Sequence, residues 1–123
     1  LLEIVAGLIE DGETPAAVAC REAMEEAGCT VTDLLPISSF YTSPAKTSQR
    51  THLYLGRVDS RNAGGIHGLA HEGEDIRVVC LAAGQAVVLA EQGRIDSAWP
   101  LVALWWFARH HQEVRQRWLA ESR

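Results

Sequence analysis

Residues 7–29, GLIEDGETPAAVACREAMEEAGC, contain the signals of a loop followed by a helix. Thr14 and Pro15 are typical of a helix start, since threonine caps the free N–H groups and proline suits the first helical position. Small apolar residues then recur at helical spacing, and Gly28 is typical of a helix end. The pattern predicts a helix from Pro15 to Ala27.

Three carboxylates crowd the second half of this predicted helix, at Glu22, Glu25 and Glu26. At about 100° per residue they point into one sector of roughly 100°, and Glu22 and Glu26 repel each other at a spacing of four. A solvated acidic face with an Arg21–Glu25 pair is one interpretation. A divalent cation that relieves the repulsion is the other, since Mg²⁺ is bound by one or two carboxylates plus waters and phosphates.

The composition of the chain argues against several classes of protein. The chain has 123 residues, 47% of them hydrophobic, and a net charge of −5, so we expect one domain over 1–123 and no nucleic-acid partner. Its three cysteines lack the spacing of a zinc site or a disulfide framework. The longest apolar run is far shorter than the roughly 20 residues that span a bilayer. We therefore expect a cytoplasmic protein without membrane contact.

The remaining chain alternates strand and helix patterns, which predicts an α/β or α+β class. Residues 57–73 are rich in glycine and poorly periodic, which is typical of a functional loop. The predicted strands are Leu1–Val5, Leu34–Tyr41, Thr51–Val58 and Ile76–Leu81, and the further helices are Ala82–Gln92 and one capped by Asp96 or Ser97.

The segment around the acidic helix resembles the Nudix box, G-x5-E-x7-R-E-U-x-E-E-x-G-U, where U is apolar. Its fixed residues are matched in register from Gly7 to Gly28, with smaller residues than usual at the apolar positions Ala23 and Cys29. The resemblance implies the Nudix fold, a mixed β-sheet sandwiched between helices. Because the chain opens without Met on an apolar run, we expect that the N-terminal strands of that fold are missing.

The same resemblance implies a role for each residue of the box. Mg²⁺, with Mn²⁺ as an alternative, is expected on the side chains of Glu22 and Glu26 and on the carbonyl of Ala6. Further metal-binding or structural positions are implied at Glu25, Arg21, Glu13 and Gly7.

Nearly the whole chain is similar to the bacterial ADP-ribose pyrophosphatase family, through stretches such as LEIVAGLIEDGE, SFYTSPAKTSQR and GIHGLAHEGEDIRV. This resemblance implies hydrolysis of ADP-ribose to AMP and ribose 5-phosphate by a homodimer formed through the missing N-terminal region. It implies Glu72 as the general base and Glu74 as a metal ligand on a mobile loop. Contacts to the substrate are implied at Leu8, Ser43 and Gln49.

Two departures and two alternatives accompany this assignment. Relatives often carry Gly-Gly and Glu where this chain has Ala45-Lys46 and Gln49, so one charge near the terminal ribose is lost. The alternatives are a Nudix hydrolase for another sugar nucleotide, such as GDP-mannose, and a non-catalytic Nudix module that senses a nucleotide. The intact glutamates of the box disfavour the second alternative.

Overall fold

The computed structural model describes residues 1–67 and 76–121. The chain divides into two compact units, one of Ile4–Leu81 and one of Leu1–Glu3 with Ala82–Arg123. The described elements are α1 (Pro15–Ala27), β1 (Asp33–Tyr41), β2 (Arg50–Arg57), β3 (Gly65–His67), β4 (Ile76–Val78), α2 (Ala83–Glu91) and α3 (Ala98–Glu121). This mixture of helices and antiparallel strands confirms the predicted class.

Helix α1 begins and ends where the sequence predicts. The Thr14 hydroxyl oxygen accepts the Ala17 N–H at 3.2 Å, which satisfies one of the free donors of the first turn. Gly28 ends the helix in the left-handed conformation, with φ 66°, and the Cys29 N–H donates to the Ala23 carbonyl at 3.2 Å. Val18, 3% exposed, anchors the apolar side of the helix. The prediction for α1 is confirmed.

Strands β1 and β2 form an antiparallel hairpin, as predicted to within one residue at the start of each strand. The register runs from Asp33 opposite Arg57 to Tyr41 opposite Arg50, with an irregularity between Pro36 and Ser38. Proline lacks the N–H that a regular ladder needs, which is consistent with a shift at this point. Side chains alternate between the two faces, so Leu53 is 6% exposed while its neighbours on the chain face outwards.

Strands β3 and β4 form a second, shorter antiparallel pair, with Gly65 opposite Val78 and His67 opposite Ile76. The predicted strand Ile76–Leu81 is therefore too long, because pairing ends at Val78 and the following Val79 is exposed. A 3₁₀ turn at Ser60–Asn62 precedes β3, inside the segment predicted to be irregular.

The prediction of a buried strand over Leu1–Val5 is wrong. These residues have no regular secondary structure, and Leu1 is 95% exposed. A strand is stable only beside a partner that receives its backbone hydrogen bonds, and no strand of the described residues pairs with this run. The apolar composition of Leu1–Val5 is typical of a strand, but composition alone does not supply a neighbouring strand to pair with.

Helices α2 and α3 pack against each other in the second unit, where Ala90, Ile95 and Val114 are buried. The turn after α2 uses Gly93 at a φ of 74°, which other residues adopt only with strain. In α3, Trp106 and His110 stack one helical turn apart, with ring centroids 4.4 Å apart. None of the helices in the described ranges combines the length and the hydropathy needed to cross a membrane.

Candidate metal and active site

The loop that precedes α1 is tied to the helix by glutamate side chains. We call residues 6–28 the loop–helix segment. Loop residues 6–10 meet the carboxylates of Glu13, Glu22 and Glu26 through backbone contacts. These are three of the acidic residues that the sequence pattern singled out, so the structure brings the two ends of the predicted box together.

Glu26 holds the start of the loop. The N–H of Ala6 donates to Oε1 of Glu26 at 2.8 Å, across 20 residues of sequence. The residue predicted to offer a carbonyl to a metal therefore lies directly beside one of the predicted carboxylate ligands. A charged acceptor makes such a hydrogen bond stronger than a neutral one.

Glu22 lies against the backbone of Gly7. A Cβ placed on Gly7 would overlap Cγ and Cδ of Glu22, far inside normal contact distance. The φ of Gly7 is not in the left-handed region, so the backbone itself does not require glycine. What requires glycine is the space that the Glu22 side chain occupies.

Arg21 and Glu13 fix the middle of the loop. Their side chains form an ion pair, and Oε1 of Glu13 also accepts the Glu10 N–H at 3.0 Å. The Glu10 N–H, and then the Arg21 guanidinium, hold the pKa of Glu13 below its ordinary value. Pairing with Glu13 in turn raises the pKa of Arg21. Both groups therefore stay charged at neutral pH.

The interpretation as a simple Arg21–Glu25 surface pair is weakened by these contacts. Nε of Arg21 lies 4.0 Å from Glu25, at the limit of an ion pair, whereas its main partner is Glu13 in the loop. Nη2 of Arg21 also lies 3.5 Å from Oε1 of Glu22. Arg21 thus offsets part of the repulsion among the glutamates while it braces the loop.

The donor set fits a hard divalent cation. Glu22 and Glu26 contact the consecutive residues Gly7 and Ala6, so their carboxylates converge on one point of the loop. Within residues 1–67 and 76–121, no group of three or more His, Cys, Asp or Glu side chains gathers for a metal. Mg²⁺ needs only one or two carboxylates when waters and substrate phosphates complete its shell. Metal ligation by Glu22 and Glu26 stays a prediction.

Two predicted site residues lie outside the described residues. Glu72, the predicted general base, and Glu74, the predicted further ligand, fall in 68–75. Their roles stay predictions from the resemblance.

The predicted substrate-binding residues lie in two loops. Ser43 and Gln49 belong to the turn between β1 and β2, where the Ser43 carbonyl accepts the N–H groups of Lys46 and Thr47 at 3.0 Å. The Gln49 side-chain oxygen accepts the Thr42 hydroxyl at 3.0 Å. Leu8 lies in the loop–helix segment and is 77% exposed. No contact in the structure tests their binding of a substrate.

A cluster on the hairpin was not predicted as a unit, although its Arg50 ends the loop 43–50 for which the resemblance implies substrate contacts. Ser39 and Tyr41 on β1 face His52 and Arg50 on β2, all on the exposed side of the sheet. Their i, i+2 spacing in two neighbouring strand patterns was the available signal. Only the register shows that the four side chains meet.

The chain belongs to the NUDIX domain family, whose family model matches residues 1–101. The match includes the loop–helix segment and both strand pairs. It agrees with the box geometry, in which Glu22 and Glu26 of α1 contact the loop ahead of the helix.

Three relatives show which enzymes of the family this chain is similar to. The ADP-ribose pyrophosphatase of Escherichia coli (strain K12) is 49% identical over 118 residues, which cover 96% of this chain and 56% of that protein. The ADP-ribose pyrophosphatase of Haemophilus influenzae is 42% identical over 96% of this chain and 54% of its own length. A GDP-mannose pyrophosphatase of Pectobacterium atrosepticum is 31% identical over 89% of the chain and 58% of its own length. The chain thus spans little more than half the length of these relatives.

Proposed function

We propose that the whole protein hydrolyses the diphosphate bond of ADP-ribose to AMP and ribose 5-phosphate with a divalent metal ion. The observation that carries the proposal is the convergence of Glu22 and Glu26 on Ala6 and Gly7. The similarity to proteins named ADP-ribose pyrophosphatase, at 42% and 49% identity, supports the choice of substrate.

In this proposal the residues of the loop–helix segment hold and orient the reacting groups. Glu22 and Glu26 would hold Mg²⁺ or Mn²⁺, which when bound neutralises charge on the diphosphate and activates water. The ion pair of Glu13 and Arg21 keeps the loop in place while substrate binds. Glu72 takes the proton from the attacking water, since a carboxylate near neutral pH is an acceptor.

A Nudix hydrolase for GDP-mannose is the second candidate, favoured by the 31% identical GDP-mannose pyrophosphatase. The choice between the two depends on base and sugar contacts. A non-catalytic nucleotide sensor is the weakest alternative, because the box keeps all its glutamates.

The test is a substrate panel with the full-length protein. ADP-ribose and GDP-mannose are incubated with Mg²⁺ or Mn²⁺, and the products are separated by chromatography. We expect AMP and ribose 5-phosphate from ADP-ribose, with a larger kcat/KM than for GDP-mannose. Preference for GDP-mannose would establish the second candidate, and tight binding of ADP-ribose without AMP would establish the sensor.

The role of Glu72 has its own test. Glu72→Gln removes the proton acceptor but no metal ligand, so kcat should fall by about 10²–10⁴-fold. The affinity for Mn²⁺, measured by calorimetry, should stay unchanged. Glu91→Gln, at the exposed end of α2, is the matched control and should keep both values. A wild-type kcat for Glu72→Gln would remove this residue from the mechanism.

The remaining expectations are also proposals. We propose a homodimer in the cytoplasm whose partner is the small-molecule substrate, with no nucleic acid or membrane bound. The net charge of −5 supports the absence of nucleic-acid binding, and free thiols at Cys20, Cys29 and Cys80 are consistent with a reducing compartment. Sedimentation of the full-length protein tests the dimer, which a monomeric mass would contradict.

A further inference from the structure

The exposed face of the β1–β2 hairpin carries a set of hydrogen-bond donors and positive charge. We call Ser39, Tyr41, Arg50 and His52 the hairpin cluster. The register places Ser39 opposite His52 and Tyr41 opposite Arg50, so all four side chains emerge from the same face. All four are exposed, while Leu53 beneath them is buried.

The guanidinium of Arg50 is held in place by two contacts. Its Nε donates to Oγ of Ser39 at 2.8 Å, and its central carbon lies 4.9 Å from the centroid of the Tyr41 ring. This distance is within the range of a cation–π contact, so the Tyr41 ring restricts the position of the guanidinium. Across the residues that the structure describes, no hydrogen bond or ion pair occupies the two Nη atoms of Arg50.

His52 adds a second group to the cluster. Its Nδ1 lies 3.3 Å from the same Ser39 oxygen that receives Nε of Arg50. The serine oxygen therefore fixes the positions of both the guanidinium and the imidazole. An imidazole carries ring nitrogens that form hydrogen bonds, so His52 places a second polar group beside the guanidinium.

The charge pattern of the hairpin distinguishes Arg50 from other arginines of the chain. Residues 34–58 contain Lys46, Arg50 and Arg57 but no Asp or Glu, although the whole chain has a net charge of −5. By contrast, Arg21, Arg61 and Arg117 each pair with a carboxylate. A positioned guanidinium in a segment without acids is suited to an external anion.

We propose that the hairpin cluster binds a phosphate monoester or inorganic phosphate through Arg50, His52 and Ser39. The planar guanidinium edge matches two oxygens of a phosphate, and a hydrogen bond from a charged donor to an anion is stronger than a neutral one. Two sources share this chemistry, free phosphate and a sugar phosphate such as ribose 5-phosphate. Only the second source rests on the proposed function, since it is a product of that reaction.

The test measures anion binding without turnover. Full-length protein, kept metal-free with EDTA, is titrated with inorganic phosphate while backbone amide resonances are followed by NMR. We expect the resonances of Arg50 and His52 to shift with a saturable dependence. Arg50→Gln should weaken binding about tenfold or more, because a charged bidentate donor is lost. Arg115→Gln makes the same charge change on exposed α3 and should bind phosphate like the wild type.

Two more variants distinguish the loss of a phosphate contact from the unfolding of the hairpin. Arg50→Lys keeps the charge but loses the planar fork, so it should bind with intermediate affinity. Ser39→Ala leaves the guanidinium charge in place and releases Arg50 and His52 from their shared oxygen, so it should also weaken binding. The amide spectrum of each variant, compared with the wild type, shows that the hairpin is folded.

Titration with ribose 5-phosphate and with ribose distinguishes the sources. Tighter binding of ribose 5-phosphate than of phosphate identifies a sugar phosphate, whereas equal affinities identify free phosphate. The proposal is overturned by an absence of saturable shifts with either phosphate, by equal affinities of the wild type and Arg50→Gln, or by equal binding of ribose. None of these outcomes depends on whether ADP-ribose is hydrolysed.

Discussion

The loop–helix segment and the β1–β2 hairpin are held together by different forces. In the loop–helix segment, carboxylates and Arg21 reach back to the loop, and these polar contacts are exposed or only partly buried. In the hairpin, the antiparallel ladder places apolar side chains such as Leu53 on one face and polar ones on the other. The first arrangement fixes the positions of a few charged atoms, and the second excludes water from an apolar face.

This difference separates two kinds of mutational effect. Exposed ion pairs contribute about 0–1 kcal/mol to stability, whereas removal of a buried leucine side chain costs about 2–5 kcal/mol. Substitutions in the loop–helix segment should therefore lower activity more than the free energy of unfolding. Substitutions in the core of the hairpin should do the reverse.

Among substitutions in these two regions, the largest effect is expected for Glu26→Gln. The amide keeps the shape of the side chain and an oxygen that can accept the Ala6 N–H, but it loses the negative charge that would bind the metal. We expect kcat for ADP-ribose to fall by about 100-fold or more, which exceeds the roughly 10–100-fold typical of residues that only support ligands. Steady-state kinetics at saturating Mg²⁺ measures it.

Glu113→Gln is the control for this substitution, since it makes the same change at an exposed position of α3. It should retain wild-type kinetics. If Glu26→Gln and Glu113→Gln were equally active, Glu26 would not bind an essential metal.

Leu53→Ala tests how much the buried face of the β1–β2 hairpin contributes to stability. Because Leu53 is 6% exposed, its truncation should lower the free energy of unfolding by about 2–3 kcal/mol. Urea denaturation measures the change, and the affinity for Mn²⁺ of the folded protein should be unaltered. A loss below about 0.5 kcal/mol, the range of ordinary surface substitutions, would show that the hairpin core is not a main source of stability.

Gly7→Ala, in the loop–helix segment, should lower kcat more than it lowers the free energy of unfolding. The new methyl group would displace Glu22, since the two groups would overlap, while the backbone conformation suits alanine. We expect kcat to fall about tenfold, equivalent to about 1.4 kcal/mol, with a smaller change in the free energy of unfolding.

Gly84→Ala is the matched control, because a Cβ at Gly84 in α2 meets open space. Alanine should stabilise this helix by roughly 0.5–1 kcal/mol and leave kcat unchanged. Equal kcat values for Gly7→Ala and the wild type would mean that the position of Glu22 is unimportant.

The smallest effect concerns the pH dependence of stability. The folded-state pKa of Glu13 is lowered by the Glu10 N–H and by Arg21, so the folded protein favours the ionised form. This contribution is present above the ordinary, unfolded-state pKa of glutamate and is lost as the pH falls through the lower folded-state pKa. Glu13→Gln should therefore reduce the loss of stability on acidification, measured by urea denaturation from neutral to acidic pH. An unchanged pH dependence would contradict the role of the ion pair.

Local signals account for what the sequence predicted well. The cap at Thr14 and the left-handed Gly28 lie next to the helix that they end, so the bounds of α1 could be predicted without its surroundings. The two long strands were predicted from alternation and composition to within a residue at each start.

Errors arose where a partner distant in sequence decides the outcome. Residues Leu1–Val5 have a strand-like composition, yet a strand also needs a neighbour, which composition does not reveal. The hairpin cluster depends on a register that is shifted at Pro36 and Ser38, so its four side chains could not be placed together beforehand. The contact of Glu22 with Gly7 was not predicted either, because spacing along the chain does not show that these two positions of the box touch.

Glu22 and Glu26 are proposed to hold a divalent metal beside Ala6 and Gly7. The most direct test of this proposal is the crystal structure of the full-length protein soaked in Mn²⁺, with the metal located by anomalous diffraction. We predict a Mn²⁺ ion bonded to carboxylate oxygens of both Glu22 and Glu26. A fully occupied Mn²⁺ site in the active protein that involves neither carboxylate would contradict the account.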